Sequence, residues 1–329
     1  MLKFKRRKWH TFSFSIISMT VIISAASLAN AALIFIGHNF VATNNVAQLP
    51  ESIHLSEVEG IGLVAKVRVN GAGSYKFAVD TGSGANLISP VVARAANIPY
   101  SNNTNRNESL IISGLSDGSH RIGQKVLIKS LALGGDGNQF SVYNVNAIVT
   151  DGLPADIDGV IDPIIVFGQH GVTIDFPNQT LEVFDPILKP LRIDEQPSGG
   201  TVVEWLPDED KRMNKPFVML DNGRKALIDS GSGLGLAIPM KDAQDLKTGR
   251  AQSKNKTIIK DITGGIVRTL RVAPSTISIG SMELRNIPTD IIEGAHSGSP
   301  ILLGRAALKP FRITFDPRNH LIRFVPTKF

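Results

Sequence analysis

Lys76-Phe77-Ala78-Val79-Asp80-Thr81-Gly82-Ser83-Gly84 is echoed by Lys225-Ala226-Leu227-Ile228-Asp229-Ser230-Gly231-Ser232-Gly233. In each copy an apolar run ends on an aspartate. A carboxylate at the end of a buried strand is costly unless it is hydrogen-bonded or paired. The glycine two residues on (Gly82, Gly231) lets the backbone turn sharply and bring N–H groups towards the acid. The hydroxyls of Thr81, Ser83, Ser230 and Ser232 can donate to a carboxylate or brace the turn.

The repeat extends outward from these turns. Each copy runs on to a proline, through Leu87-Ile88-Ser89-Pro90 and Ala237-Ile238-Pro239, and a short helix is expected over residues 91–96 and 240–246. A Gly-centred polar turn between apolar strands follows, at Gly114-Leu115 in the first copy and Gly264-Gly265 in the second. Both copies close on a hairpin, Ile174-Asp175-Phe176-Pro177-Asn178 and Phe315-Asp316-Pro317-Arg318-Asn319, whose acids Asp175 and Asp316 are read as serving the turn. Ahead of Asp80, Leu63, Ala65, Val67 and Val69 alternate with polar residues as in a half-buried strand. Asn70-Gly71 then turns the chain back.

The expected fold is therefore all-β with short helices: two related, β-barrel-like lobes with a site between them. Residues 58–186 and 208–329 form the lobes, 187–207 a linker, 37–57 a spacer, and 1–36 an export signal or N-terminal anchor. One acid per copy implies a pseudo-twofold pair meeting at the axis. Two carboxylates about 3 Å apart cannot both ionise, so they share a proton and their pKa values split. One can then take a proton from water while the other protonates an amide carbonyl. No metal or cofactor is required.

Both turns resemble the Asp-Thr/Ser-Gly-Ser active-site turn of aspartic proteases of the pepsin and retropepsin group. Ile301-Leu302-Leu303-Gly304-Arg305 is similar to that group's hydrophobic-hydrophobic-Gly motif, in the retroviral style with Arg next. The resemblance covers residues 58–329 and implies an endopeptidase with Asp80 and Asp229 as catalytic pair, in a single-chain tandem of two retropepsin-like lobes of bacterial envelope type. It further implies that Thr81 and Ser230 link the turns across the axis and that Ser83 and Ser232 bond the acids. Gly114, Leu115, Gly264 and Gly265 would belong to flaps over a peptide substrate. One departure stands out: the counterpart of Gly304 in the first copy is Asp162, in Asp158-Gly159-Val160-Ile161-Asp162-Pro163. An acid there would disturb Asp80 or add a third carboxylate, and it motivates a second reading, a catalytically degenerate peptide-binding or sensor module.

Charge and composition narrow the partners. The net charge of +6 owes five positives to Lys3, Lys5, Arg6, Arg7 and Lys8, and residues 1–31 hold no acid; the remainder carries 30 bases against 29 acids. The high pI thus gives no case for nucleic acid. The basic stretch precedes an apolar run from Phe12 to Leu28 and a small-x-small site at Ala29-Asn30-Ala31, with apolar character resuming to Ile36. Either outcome, cleaved signal or retained anchor, places the lobes in the periplasm or at the outer face of the cytoplasmic membrane. The absence of cysteine excludes disulfides, thiol nucleophiles and Cys-based zinc sites. The expected partner is a peptide or protein substrate. A monomer suffices for catalysis, because one chain supplies both acids.

Overall fold

The structure is a computed structural model that describes residues 52–100, 109–115, 120–135, 137–208, 215–243, 251–260, 265–296 and 298–327. The export segment, most of the spacer and Gly264 lie outside these residues. Among the described residues three sheets make up the fold. An eight-stranded sheet holds the first lobe, a seven-stranded sheet the second, and a six-stranded sheet joins them.

The repeat appears as matched strand registers. Ala72–Val79 runs parallel to Gly159–Ile161, pairing Phe77 with Gly159 and Val79 with Ile161. Lys225–Asp229 runs parallel to Ile301–Gly304, pairing Ile228 with Leu303 and Asp229 with Gly304. The antiparallel partners match too, Leu87 opposite Val160 and Ala237 opposite Leu302. Carrying the first register one residue further sets Asp80 beside Asp162, where the second lobe has Asp229 beside Gly304.

The joining sheet is built from the closing hairpins. Gly171–Asp175 pairs antiparallel with Phe311–Asp316, with Thr173 opposite Thr314. The two hydroxyls meet at 2.9 Å, both buried, so this contact lies where the lobes' symmetry brings like residues together. Asp175 and Asp316 serve their turns as read. Asp175 accepts from Asn178 N at 3.0 Å, and Asp316 accepts from Arg318 N at 3.1 Å and Asn319 N at 2.9 Å.

Two boundaries are corrected. Ile53–His54 and Ser56–Val58 are strands, so the stretch read as a polar spacer ends with Ile53 and Leu55 fully buried. Two apolar residues around His54 are too few to show a period in the sequence. Likewise Thr201–Glu204, read as linker, pairs with Leu321–Pro326 and closes the joining sheet. The first expected helix is α1 (Pro90–Ala95), capped by Ser89. Of the second, the described residues form the 3-10 turn Met240–Asp242, and residues 244–250 lie outside the described set. Helices α2 (Pro163–Phe167) and α3 (Arg305–Leu308) begin directly after Asp162 and Gly304.

Candidate active site

Strand alternation decides which side chains face the site. Along Lys225–Asp229, Ala226 and Ile228 belong to the main core, whereas Leu227 belongs to a second apolar cluster. Asp229 shares the face of Leu227, because side chains two apart point the same way. In the first lobe Phe77 and Val79 enter the main core and Ala78, with Asp80, faces a third cluster. Each aspartate thus ends a strand beside its own apolar cluster.

The two turns lock into each other through four buried hydrogen bonds. Thr81 N donates to Ser230 Oγ at 3.0 Å, and Ser230 N donates to Thr81 Oγ1 at 3.1 Å. Thr81 Oγ1 in turn donates to Ile228 O at 2.6 Å, and Ser230 Oγ donates to Val79 O at 2.8 Å. Each hydroxyl therefore serves as donor and acceptor at once, which only Ser or Thr can do at this size. Gly82 and Gly231 then pass close to the opposite lobe's acid. A Cβ on Gly82 would lie 2.8 Å from Asp229 Cγ, and one on Gly231 would overlap Asp80 Cγ. Glycine is required here for close approach, and its absence of a side chain lets Asp80 and Asp229 come close enough to act on each other electrostatically.

The pair is electrostatically unequal. Asp229 accepts backbone N–H groups from Gly231 at 3.0 Å and Ser232 at 2.9 Å, while Asp80 accepts only that of Gly82, at 2.8 Å. Burial raises both carboxyls. Asp80 is pushed well above the usual range, by burial first and then by the charge of Asp229, with Asp162 adding to it. Asp229 is raised mainly by burial, against which Ser232 N–H, the bond with Asp80, Gly231 N–H and the Arg305 charge all act. The second N–H bond and the Arg305 charge favour the ionised form of Asp229, so a proton shared by the pair is held preferentially by Asp80.

Arg305 holds the second turn. Its Nη1 donates to Ser230 O at 3.2 Å, Gly231 O at 2.6 Å and, across the lobes, Ile61 O at 2.9 Å. A Cβ at Gly62 would overlap the guanidinium, so the glycine makes room for it. Gly304 allows the same turn to close behind the acid: Gly304 N donates to Gly235 O and Arg305 N to Ser232 O, both at 2.8 Å. A Cβ on Gly304 would lie 2.8 Å from Ser232 O.

The first lobe closes its turn by another route. Asp162 is fully buried and its Oδ1 accepts from Ile164 N at 2.9 Å, capping α2. Oδ2 accepts from Gly84 N at 2.9 Å, in the turn that carries Asp80, and Asp162 N donates to Asn86 Oδ1 at 3.0 Å. Pro163 has no N–H to give, so the carboxylate supplies the tie that Arg305 N makes in the second lobe. The expected disturbance is therefore resolved: Asp162 braces the turn, and it is also a third carboxylate acting on Asp80. Burial raises Asp162 to about 8, against three N–H groups and the charge of Lys215. Lys215 comes from the second lobe and packs on Gly84, where a Cβ would meet its Cε at 2.7 Å.

This predicts a specific response to Asp162→Asn. The folded state binds the Asp162 proton more tightly than the unfolded state, so its contribution to stability is present at acid pH and is lost as pH rises towards about 8. Denaturant unfolding should show a shallower fall in stability between pH 5 and pH 8 in the variant. The upper pH limb of any dyad-dependent activity should move to lower pH, because a like charge beside Asp80 has been removed. Placing an NH2 against Gly84 N–H should cost about 1–3 kcal/mol.

Two implied roles are corrected. Ser83 and Ser232 do not bond the acids through their hydroxyls. Ser83 Oγ donates to Ala85 O, and Ser232 Oγ accepts from Leu234 N at 3.3 Å, so both brace their own turns. Backbone N–H groups take the place that the resemblance assigned to them. At the flaps, Ser109–Ser113 pairs with the start of His120–Gly135, and Ala251–Lys260 pairs with Ile266–Ile279. Gly114 and Leu115 follow the first strand of one hairpin, and Leu115 reaches the second lobe's cluster, where Ser299 Oγ donates to its carbonyl at 3.3 Å. Gly265 precedes Ile266–Ile279 in the other hairpin. Asn86, Lys215 and Asp162's bracing role escape the repeat, because the second turn is one residue longer and the two lobes solve the same closure with different atoms.

Residues 65–165 match the model of a protein family described as aspartyl protease, a span that holds Asp80, the first flap and Asp162. None of the curated proteins compared with the chain matches it. Among solved structures, the chain is similar to basic 7S globulin from soybean, with a TM-score of 0.53 at 9% identity over 85% of this chain and 97% of that one. It is also similar to conglutin gamma, a basic 7S globulin from lupine seeds, with a TM-score of 0.51 at 12% identity over 85% and 96% of the two chains. The likeness establishes the bilobal, all-β, aspartic-protease-like fold.

Proposed function

We propose that the chain is an aspartic endopeptidase that hydrolyses peptide bonds with water activated between Asp80 and Asp229. The observation that carries this reading is the pair of buried carboxyl groups, one from each lobe, held at the meeting of two reciprocally bonded turns. Asp229, with two backbone N–H groups on its carboxylate and the Arg305 charge nearby, takes a proton from the water. Asp80, kept protonated, gives one to the carbonyl oxygen of the scissile amide. The tetrahedral intermediate collapses as the amine leaves with a proton. The family match over the first lobe supports the reading.

The degenerate, peptide-binding reading takes its motive from Asp162. As a brace for the Asp80 turn, that residue argues for an intact site. The exported location suggested by Lys3 to Lys8 and the apolar run after them is part of the same proposal. The test is turnover of a random peptide library by the purified full chain between pH 3 and pH 8. Cleavage blocked by a hydroxyl-bearing transition-state mimic is expected; no cleavage at any pH, with the mimic failing to bind, contradicts the proposal.

A further inference from the structure

The two apolar clusters that flank the dyad are not equivalent, and the difference centres on two neighbouring positions. In the second lobe the cluster holds Phe217, Leu227, Leu234, Val267, Ile292 and Leu302, with Leu115 and Ile259 of the two flap hairpins against it. Thr269 shares the face of Val267, and Asp290 that of Ile292, by strand alternation. Both are almost completely buried. Asp290 Oδ1 takes the Arg271 Nε at 2.8 Å, but Asp290 Oδ2 and Thr269 Oγ1 have no hydrogen-bond partner. Two orphaned polar atoms on one face of a buried hairpin are costly, and native folds rarely keep them without use.

The first lobe shows what this site looks like without them. The registers that set Ala237 beside Asp290 and Leu87 beside Ile148 make Ile148 the counterpart of Asp290. Ile148 faces Lys125 and Gly123 faces Thr150, as Asp290 faces Arg271 and Thr269 faces Ile292, so Gly123 replaces Thr269. A Cβ at Gly123 would overlap Ile148 Cγ2, and the one buried hydroxyl on this face, that of Thr150, is already bonded to the Ile122 and Asp151 carbonyls.

We infer that the second lobe's pocket, beside Asp229, selects a peptide side chain with an alkyl stem and a hydrogen-bond donor at its tip, lysine or glutamine, through Asp290 Oδ2 and Thr269 Oγ1. The stem packs on Leu227 and Leu302, the donor satisfies Asp290 Oδ2, and Arg271 remains on Oδ1. The first lobe's pocket takes an aliphatic residue on the other side of the scissile bond. In the structure Leu115 packs against the second lobe's cluster, so a bound side chain displaces a flap residue. The inference rests on the proposed peptide-binding site but not on turnover.

The test therefore reads binding. The full chain carrying Asp80→Asn, which holds peptides without cutting them, is used to select from a displayed library of random decapeptides. The same selection is run with Asp290→Leu and with the isosteric Asp290→Asn added. Lysine or glutamine should be enriched at one position by about tenfold or more, and Asp290→Leu should turn that preference aliphatic. Asp290→Asn, whose shape is unchanged, should lose most of the enrichment. An aliphatic preference before substitution, a preference indifferent to both Asp290 variants, or no peptide retained at all would overturn the inference. Donor selection by a chain that never cleaves would instead remove the protease reading and leave this one standing.

Discussion

Replacing Asp80 or Asp229 by Asn is expected to lower kcat/KM for peptide cleavage about a thousandfold or more while leaving the fold intact. Positioned acid–base groups contribute factors of about 10^2–10^4 each, and here one proton serves both roles. Asp80→Asn removes the group that holds the proton, and Asp229→Asn removes the base that two amide groups and Arg305 keep charged. Neither change creates a void. Each also relieves a raised carboxyl, so the variants should unfold at equal or higher denaturant concentration at pH 8. Activity lost together with stability would point to misfolding; activity retained in both single variants would dismiss the dyad.

The second large effect is on stability and falls at the meeting of the lobes. Ser230→Ala leaves Thr81 N and Val79 O without their partners, and Thr81→Val does the same to Ser230 N and Ile228 O. Each orphaned buried group costs about 1–3 kcal/mol, so each variant should lose about 3 kcal/mol. Thr81→Ser, which keeps the hydroxyl, should lose under about 1.5 kcal/mol, the deleted methyl being the main cost. Denaturant unfolding distinguishes these outcomes. Equal losses for Thr81→Val and Thr81→Ser would mean that packing, not the reciprocal bonds, holds the turns together.

Much of this was open to reading from the chain because the repeat duplicates chemistry along with pattern. Asp80 and Asp229 stand out by sharing apolar strands, glycines and hydroxyls, and the structure brings Thr81 and Ser230 together as the resemblance implied. What escaped was local. The roles of Ser83 and Ser232 depend on whether a hydroxyl or a backbone N–H points at the acid, a matter of one torsion that spacing does not record. In the sequence Asp162 reads as a defect, because Gly84 and Asn86 become its partners only once the turn is folded. Asp290 sits in a strand that reads as ordinary, since Thr-Asp-Ile-Ile gives no sign of which face is covered. Ile53 and Leu55 flank a single histidine, a stretch too short to show a strand's period, although both are buried at the start of the described chain.

The unequal dyad has one direct test, the pH dependence of kcat/KM for a single peptide. The free enzyme should give a bell whose lower limb is the ionisation of Asp229 and whose upper limb is the loss of the Asp80 proton. Both limbs should lie above the ordinary carboxylate range, because burial raises both groups. Asp162→Asn should draw the upper limb down and leave the lower one in place. A profile with no upper limb, or one that Asp162→Asn does not move, would contradict the assignment of the shared proton to Asp80.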